Sequence, residues 1–256
     1  MIVGAQLLNA VNPNLPGWAG IIIIALLTFF ITLFGYKIVH VYEYWSWIPT
    51  CIVFFIVIGE FAHSGAFRNI PMESGQAEMG SVLSFGATVF GFATGWCSYA
   101  ADYTVYQPSN RSQFKVFVAT WCGLIPPLLF TELIGAAVVT AIGFDDTATD
   151  NIYLTGYNAS GTGGLLAAVL VPPLGRFGQF CLVIMALSII ANNCPNIYSV
   201  SLTVQILGRW TQRIPRFLWT LVGTGVYIGI AIPGYSNFEA VLENFMNFIG
   251  YVLPHS

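Results

Sequence analysis

Apolar residues run along this chain in helix-length stretches, and polar residues fall in short breaks between them. A membrane-crossing helix needs roughly 20 predominantly apolar residues. Six stretches fit: Trp18–Tyr36, Tyr44–Phe61, Ser81–Ala101, Phe114–Ile142, Phe177–Leu202 and Phe217–Ile232. Met1–Ala10 is shorter and reads as the end of a helix that starts upstream; Ala240–Leu253 is also short. Gly164–Pro173 is apolar, but Pro172-Pro173 closes it, which predicts a re-entrant or surface helix after a Gly143–Gly163 loop. The pattern predicts an all-α, polytopic membrane protein.

Composition agrees. The chain is 56% hydrophobic and only 7% charged, with a mean hydropathy of +0.75, whereas soluble domains run near 25% charged. The net charge of -3 and the scattered Lys and Arg leave no basic stripe for nucleic acid. Cys51, Cys97, Cys122, Cys181 and Cys194 all lie in apolar runs without metal spacing and read as packing residues. The opening Met-Ile-Val-Gly-Ala-Gln-Leu-Leu has no basic n-region or cleavage site, so no signal peptide is expected.

Charge also orients the helices. With the Tyr36–Tyr44 loop placed inside, Lys37, Arg111, Lys115, Arg209, Arg213 and Arg216 all fall on that side, and Arg68 and Arg176 fall outside. Trp18, Trp45, Trp47, Trp121 and Trp219 sit near span ends, as an interfacial belt does. The sequon Asn158-Ala159-Ser160 lies on the predicted outer loop, making Asn158 a candidate glycosylation site.

Four features can carry chemistry. Asn192, Asn193 and Asn196 surround Pro195 inside an apolar run. Their spacing lets them share a broad helix face. Pro195 has no N–H, so the carbonyl of Ala191 loses its helical partner. Carboxamides both donate and accept, which suits a flat, neutral, polar ligand; the same groups can instead tie helices together. The second feature is the glycine- and threonine-rich run Ser84–Trp96. It either forms an interrupted transport helix whose Trp96 indole stacks on a planar ligand, or a Gly91/Gly95 packing seam with Trp96 as bulk. Third, Glu132 lies well inside a span and is a candidate for proton coupling or for a structural hydrogen bond. Fourth, Asp102 ends the glycine-rich span, where it either gates by pairing with Arg111 or Lys115 or is simply a solvated helix end. No nucleophile triad, zinc motif or phosphate loop appears, so an enzyme is not expected and no cofactor is implied.

Several of these segments resemble fungal purine–cytosine permeases of the nucleobase:cation symporter family. Ile2-Val3-Gly4-Ala5-Gln6-Leu7-Leu8 resembles the end of their third helix, and Gly95-Trp96-Cys97-Ser98-Tyr99-Ala100-Ala101-Asp102-Tyr103-Thr104-Val105-Tyr106 their sixth. Phe130-Thr131-Glu132-Leu133-Ile134-Gly135 resembles the seventh, and Asn192-Asn193-Cys194-Pro195-Asn196-Ile197-Tyr198-Ser199 the eighth. The resemblance implies a partial five-plus-five inverted-repeat (leucine-transporter-like) fold. It implies proton symport of cytosine, adenine, guanine or hypoxanthine across the plasma membrane. Trp96 would stack on the base and Asn196 would hydrogen-bond it, with Asn192, Asn193 and Pro195 as plausible additions. Residues 1–256 would then form an incomplete transporter domain, from the end of helix three through part of helix ten. An allantoin, uracil or related permease is the alternative within transport. A non-transporting membrane remnant or interaction partner is the alternative outside it.

Overall fold

The computed structural model describes residues 1–71, 74–96, 108, 110–143 and 151–252. Every regular element among them is helical. In chain order these are α1 (Ile2–Val11), α2 (Gly17–Leu33), α3 (Tyr36–Ser64), α4 (Gln76–Gly95), α5 (Gln113–Val139), α6 (Ile152–Leu174), α7 (Arg176–Ile206), α8 (Arg209–Arg213), α9 (Arg216–Gly234) and α10 (Phe238–Val252). Four described segments are long and apolar enough to cross a membrane: Lys37–Ser64, Gln113–Val139, Arg176–Ile206 and Arg216–Asn237. The predicted span Trp18–Tyr36 is realised as the 17-residue α2. The predicted span Ser81–Ala101 is α4 up to Trp96, and its remainder lies outside the described residues.

Two expectations need correction. Tyr36–Tyr44 is not a loop: α3 is helical from Tyr36 to Ser64, and only Phe34 and Gly35 separate it from α2. Gly35 makes this short turn at φ 84, a left-handed conformation that favours glycine. Gly143–Gly163 is not a loop throughout either, because helix resumes at Ile152. Asn151 starts it, accepting from the Tyr153 and Leu154 N–H groups and donating to the Ala141 and Ile142 carbonyls (3.0 and 2.8 Å).

Helix α6 also turns back on itself. Ser160 and Gly161 leave helical geometry (Gly161 φ 56, ψ −142). A Cβ added at Gly156 would lie 2.5 Å from the carbonyl oxygen of Gly164. In a straight helix those residues stand about 12 Å apart along the axis. Residues 152–159 and 162–174 therefore form a tight helical hairpin. Gly164–Pro173, expected as a re-entrant or surface helix, is its second arm, with Leu165, Val169 and Leu170 buried.

The chain divides into two compact units, Met1–Asn69 with Thr120–Tyr235, and Ile70–Ala119 with Ser236–Ser256. In the larger unit α7 is the axis, packing against α1, α2, α3, α6 and α9. Its core includes Leu7, Ile24, Val57, Leu165, Leu182 and Ile190. In lipid, burying such side chains gains little hydrophobic free energy, because acyl chains are as apolar as leucine; close van der Waals packing holds helices together instead. Glycines provide it. A Cβ on Gly20 would meet the Ala5 Cβ at 2.8 Å, one on Gly163 would overlap the Gln6 carbonyl, and one on Gly178 would overlap the Leu170 carbonyl. Helix α1 is thus gripped by α2 on one side and the α6 hairpin on another.

Charged residues mark the ends of this unit. The Arg216 guanidinium reaches the α2–α3 turn, with Nη2 3.1 Å from a Cβ placed on Gly35, and lies 4.8 Å from the centre of the Tyr198 ring. Arg216 and the turn before Lys37, both on the inner side by charge pattern, therefore lie together. Arg68 and Gly143, both on the predicted outer side, also lie together: a Cβ on Gly143 would be 2.7 Å from Arg68 Nη1. In the smaller unit α4 packs against α10.

Candidate functional site

The asparagine cluster lies on α7, which runs unbroken from Arg176 to Ile206 through Pro195. The helix continues through the proline, as the single predicted run Phe177–Leu202 implies. One lost backbone bond in a 31-residue helix packed on five neighbours is not enough to interrupt it. Asn196 Nδ2 donates to the Asn192 carbonyl at 3.0 Å.

The three carboxamides do not share one environment, as the expected common face implied. Asn192 is exposed, Asn196 is half-buried and Asn193 is 3% exposed. The reason is the turn of the helix: Asn193 stands about 100° round from Asn192, facing the packed interior. Its Nδ2 is buried and has no hydrogen-bond partner among the described residues. Leaving such a donor unpaired costs about 1–3 kcal/mol. Pro195 is buried on the same segment, and Cys194 packs its sulfur 4.0 Å from the Thr28 carbonyl.

Trp96 caps the C-terminus of α4, its N–H bonded to the Ala93 and Thr94 carbonyls, and it is half-buried. Upstream, Thr88 and Thr94 donate to the carbonyls four residues before them, a pattern that bends helices. A Cβ at Gly86 or Gly95 would meet nothing within 4 Å. Gly91, the other glycine of the seam considered, is buried.

A polar contact missed in the sequence joins α1 to the α6 hairpin. Gln6 is 7% exposed, its carboxamide lies against the reversal at Gly161, and its Oε1 has no partner among the described residues. One turn on, Asn9 accepts from the Ser160 hydroxyl and donates to the Leu15 carbonyl at 2.8 Å. The visible signal was a glutamine and an asparagine three apart in an apolar run, with Ser160-Gly161-Thr162-Gly163-Gly164 far along the chain.

The remaining candidates are dispersed. Glu132 is half-buried on α5. Asp102 lies outside the described residues. Asn158 is exposed, but it sits on the first arm of the α6 hairpin rather than on a loop, and the Ser160 hydroxyl of its sequon is bonded to Asn9. A cleft of about 400 Å³ between α3 and α5 is lined by Ile58, Phe61, Phe130, Ile134 and other apolar residues. With no polar group to orient a base, it does not match the ligand chemistry of the asparagines.

Residues 1–253 match the family described as permeases for cytosine/purines, uracil, thiamine and allantoin. The chain is 67% identical over 252 residues to the purine-cytosine permease fcyB of Emericella nidulans, covering 98% of this chain and 49% of that protein. It is 45% identical over 256 residues to the purine-cytosine permease FCY2 of Saccharomyces cerevisiae, covering 98% and 47%. It is 28% identical to the vitamin B6 transporter TPN1 of Saccharomyces cerevisiae, covering 98% and 43%. The chain thus spans about half the length of the curated relatives it matches. No solved structure matches it.

Proposed function

Because the chain belongs to the family of permeases for cytosine/purines, uracil, thiamine and allantoin, we propose that it serves to carry purine bases and cytosine across the plasma membrane, coupled to protons. It is an integral membrane protein with several apolar helices, and its relatives are permeases rather than enzymes. The names of the two purine-cytosine relatives support nucleobase substrates, with cytosine, adenine, guanine and hypoxanthine as the bases to test.

The observation that carries this reading is the buried Nδ2 of Asn193 beside Pro195, which has no partner among the described residues. Buried donors in folded proteins are nearly always satisfied, and a ring nitrogen or carbonyl of a nucleobase is a matching acceptor. In our proposal Asn193 donates to the base, Asn196 offers its half-buried carboxamide, and Asn192 and Pro195 complete the polar segment. Trp96 supplies a stacking face, worth about 1–3 kcal/mol by analogy with base–aromatic stacking elsewhere. Glu132 is the described proton-coupling candidate; Asp102 is the other.

Asn193→Leu separates a ligand role from a structural one. If Asn193 tied helices together, this substitution would destabilise the protein. If it awaits a ligand, leucine removes an unpaired donor without breaking a bond. In a full-length permease carrying this chain in place of its own matching segment, the expected result is unchanged surface expression. The KM for labelled cytosine should rise about 5- to 10-fold, as the loss of one hydrogen bond predicts. Unchanged KM removes Asn193 from the site.

A further inference from the structure

A short joint tied by side-chain hydrogen bonds connects α7 to α9. Gln205 Nε2 donates to the Ile214 carbonyl at 3.1 Å, the Thr211 hydroxyl donates to the Gly208 carbonyl at 2.7 Å, and Trp219 Nε1 donates to the Thr211 carbonyl at 3.2 Å. We infer that this joint binds the headgroup of an anionic phospholipid, with Arg209 and Arg213 on α8 holding the phosphate.

The bonds of the joint turn Thr211 toward the protein. Arg209 and Arg213 are four residues apart and share one face of α8, roughly opposite Thr211 on the helix wheel. Both are exposed. No acidic residue occurs anywhere from Asn151 to Phe238, so this stretch supplies neither with a counter-charge. Arg216, by contrast, is turned back over the Tyr198 ring, 4.8 Å from its centre. At this spacing the two exposed side chains leave the helix about 6 Å apart, so both guanidinium forks can grip one phosphate. The apolar surface beside them fits acyl chains. Ile206, Leu207 and Trp210 are 77, 78 and 71% exposed, too much for side chains that pack within the protein. They follow or end α7, which is long and apolar enough to cross a membrane, on the side where the charge pattern gathers the basic residues. A tryptophan at that level anchors at the headgroup boundary. Arginines for the phosphate and an apolar wedge for the chains select a lipid over a free anion. Two positive charges without a local counter-charge select an anionic lipid over a zwitterionic one.

The test uses a full-length permease carrying this chain in place of its own matching segment, purified in neutral detergent and titrated with phosphatidylserine under native mass spectrometry. Arg209→Gln and Arg213→Gln are each expected to raise the apparent Kd of the first bound phosphatidylserine about 5-fold, and the pair together about 25-fold. Arg209→Lys with Arg213→Lys keeps both charges and should stay within about 3-fold of the parent. Arg176→Gln, the same loss of charge on the predicted outer side, should leave the Kd unchanged, as should every variant for phosphatidylcholine. Unchanged Kd in the double glutamine variant overturns the inference. So does an equal rise with Arg176→Gln, which would reduce the effect to net charge, or an equal rise for phosphatidylcholine. Inorganic phosphate at the lipid's concentration should not displace it; displacement would assign the arginines to a free anion and also overturn the inference. Equal unfolding temperatures of parent and double variant in phosphatidylcholine are expected. If the double variant does not fold, the single variants decide by the same measure. Uptake is not read, so failure of the nucleobase reading leaves this result intact.

Discussion

Replacing Gly163 with alanine tests whether backbone contact, rather than side-chain burial, holds the larger unit together. A Cβ at this position would overlap the carbonyl carbon and oxygen of Gln6 and lie 2.5 Å from the Leu7 nitrogen. These are backbone atoms of a neighbouring helix and cannot swing aside. Restoring ordinary contact requires the second arm of α6 to back away from α1 by about 1 Å. Overpacking of this kind costs about 1–3 kcal/mol, and rigid neighbours put it at the upper end. The helix-forming gain of alanine over glycine returns about 1 kcal/mol. The net loss is about 2 kcal/mol, or a fall of about 4–8 °C in unfolding temperature for a unit of this size. Gly86→Ala is the control, because its Cβ meets nothing within 4 Å. There only the propensity gain of about 1 kcal/mol remains, so the unfolding temperature of this smaller unit should rise by about 4–8 °C. Both can be read from fluorescently tagged protein heated in detergent and sized by chromatography. Equal behaviour of the two variants would refute the packing argument.

Other perturbations probe separate contacts. Asn151→Ala removes a helix cap and leaves the Ala141 and Ile142 carbonyls without its amide; a loss of about 1–2 kcal/mol is expected in the same thermal assay, and no loss would contradict the cap. Arg216→Ala removes the cation over the Tyr198 ring; in a double-mutant cycle with Tyr198→Leu, the combined loss should fall short of the sum of the single losses by about 0.5–1 kcal/mol, and additive losses would mean that the two do not interact. Asn158 lies on a helix with its sequon serine engaged, so endoglycosidase treatment is expected to leave electrophoretic mobility unchanged; a shift would return Asn158 to an accessible loop in the folding chain.

Much of the helix layout was legible in the sequence because membrane helices are written as apolar runs. The runs Phe177–Leu202 and Phe217–Ile232 correspond to α7 and α9 with modest changes at the ends. Lys37, His40 and Glu43 made Tyr36–Tyr44 look like a loop, yet polar residues alone do not stop a helix, and Gly35 was the break that mattered. The α6 hairpin was hidden for the opposite reason. Its glycines read as loop, and only the approach of Gly156 to Gly164 and of Gly163 to Gln6 shows what they accomplish. At the candidate site the residue types were legible but their burial was not. Three neighbouring asparagines look alike in a sequence, and the packing around α7 singles out Asn193.

The most direct test of the central claim is uptake of radiolabelled cytosine in cells stripped of their own nucleobase permeases. The cells would express a full-length permease that carries this chain in place of its own matching segment. The account predicts saturable uptake, abolished by dissipating the proton gradient and competed by adenine, guanine and hypoxanthine. Uptake competed by uracil or allantoin but not by purines, or no uptake despite normal surface expression, would contradict it.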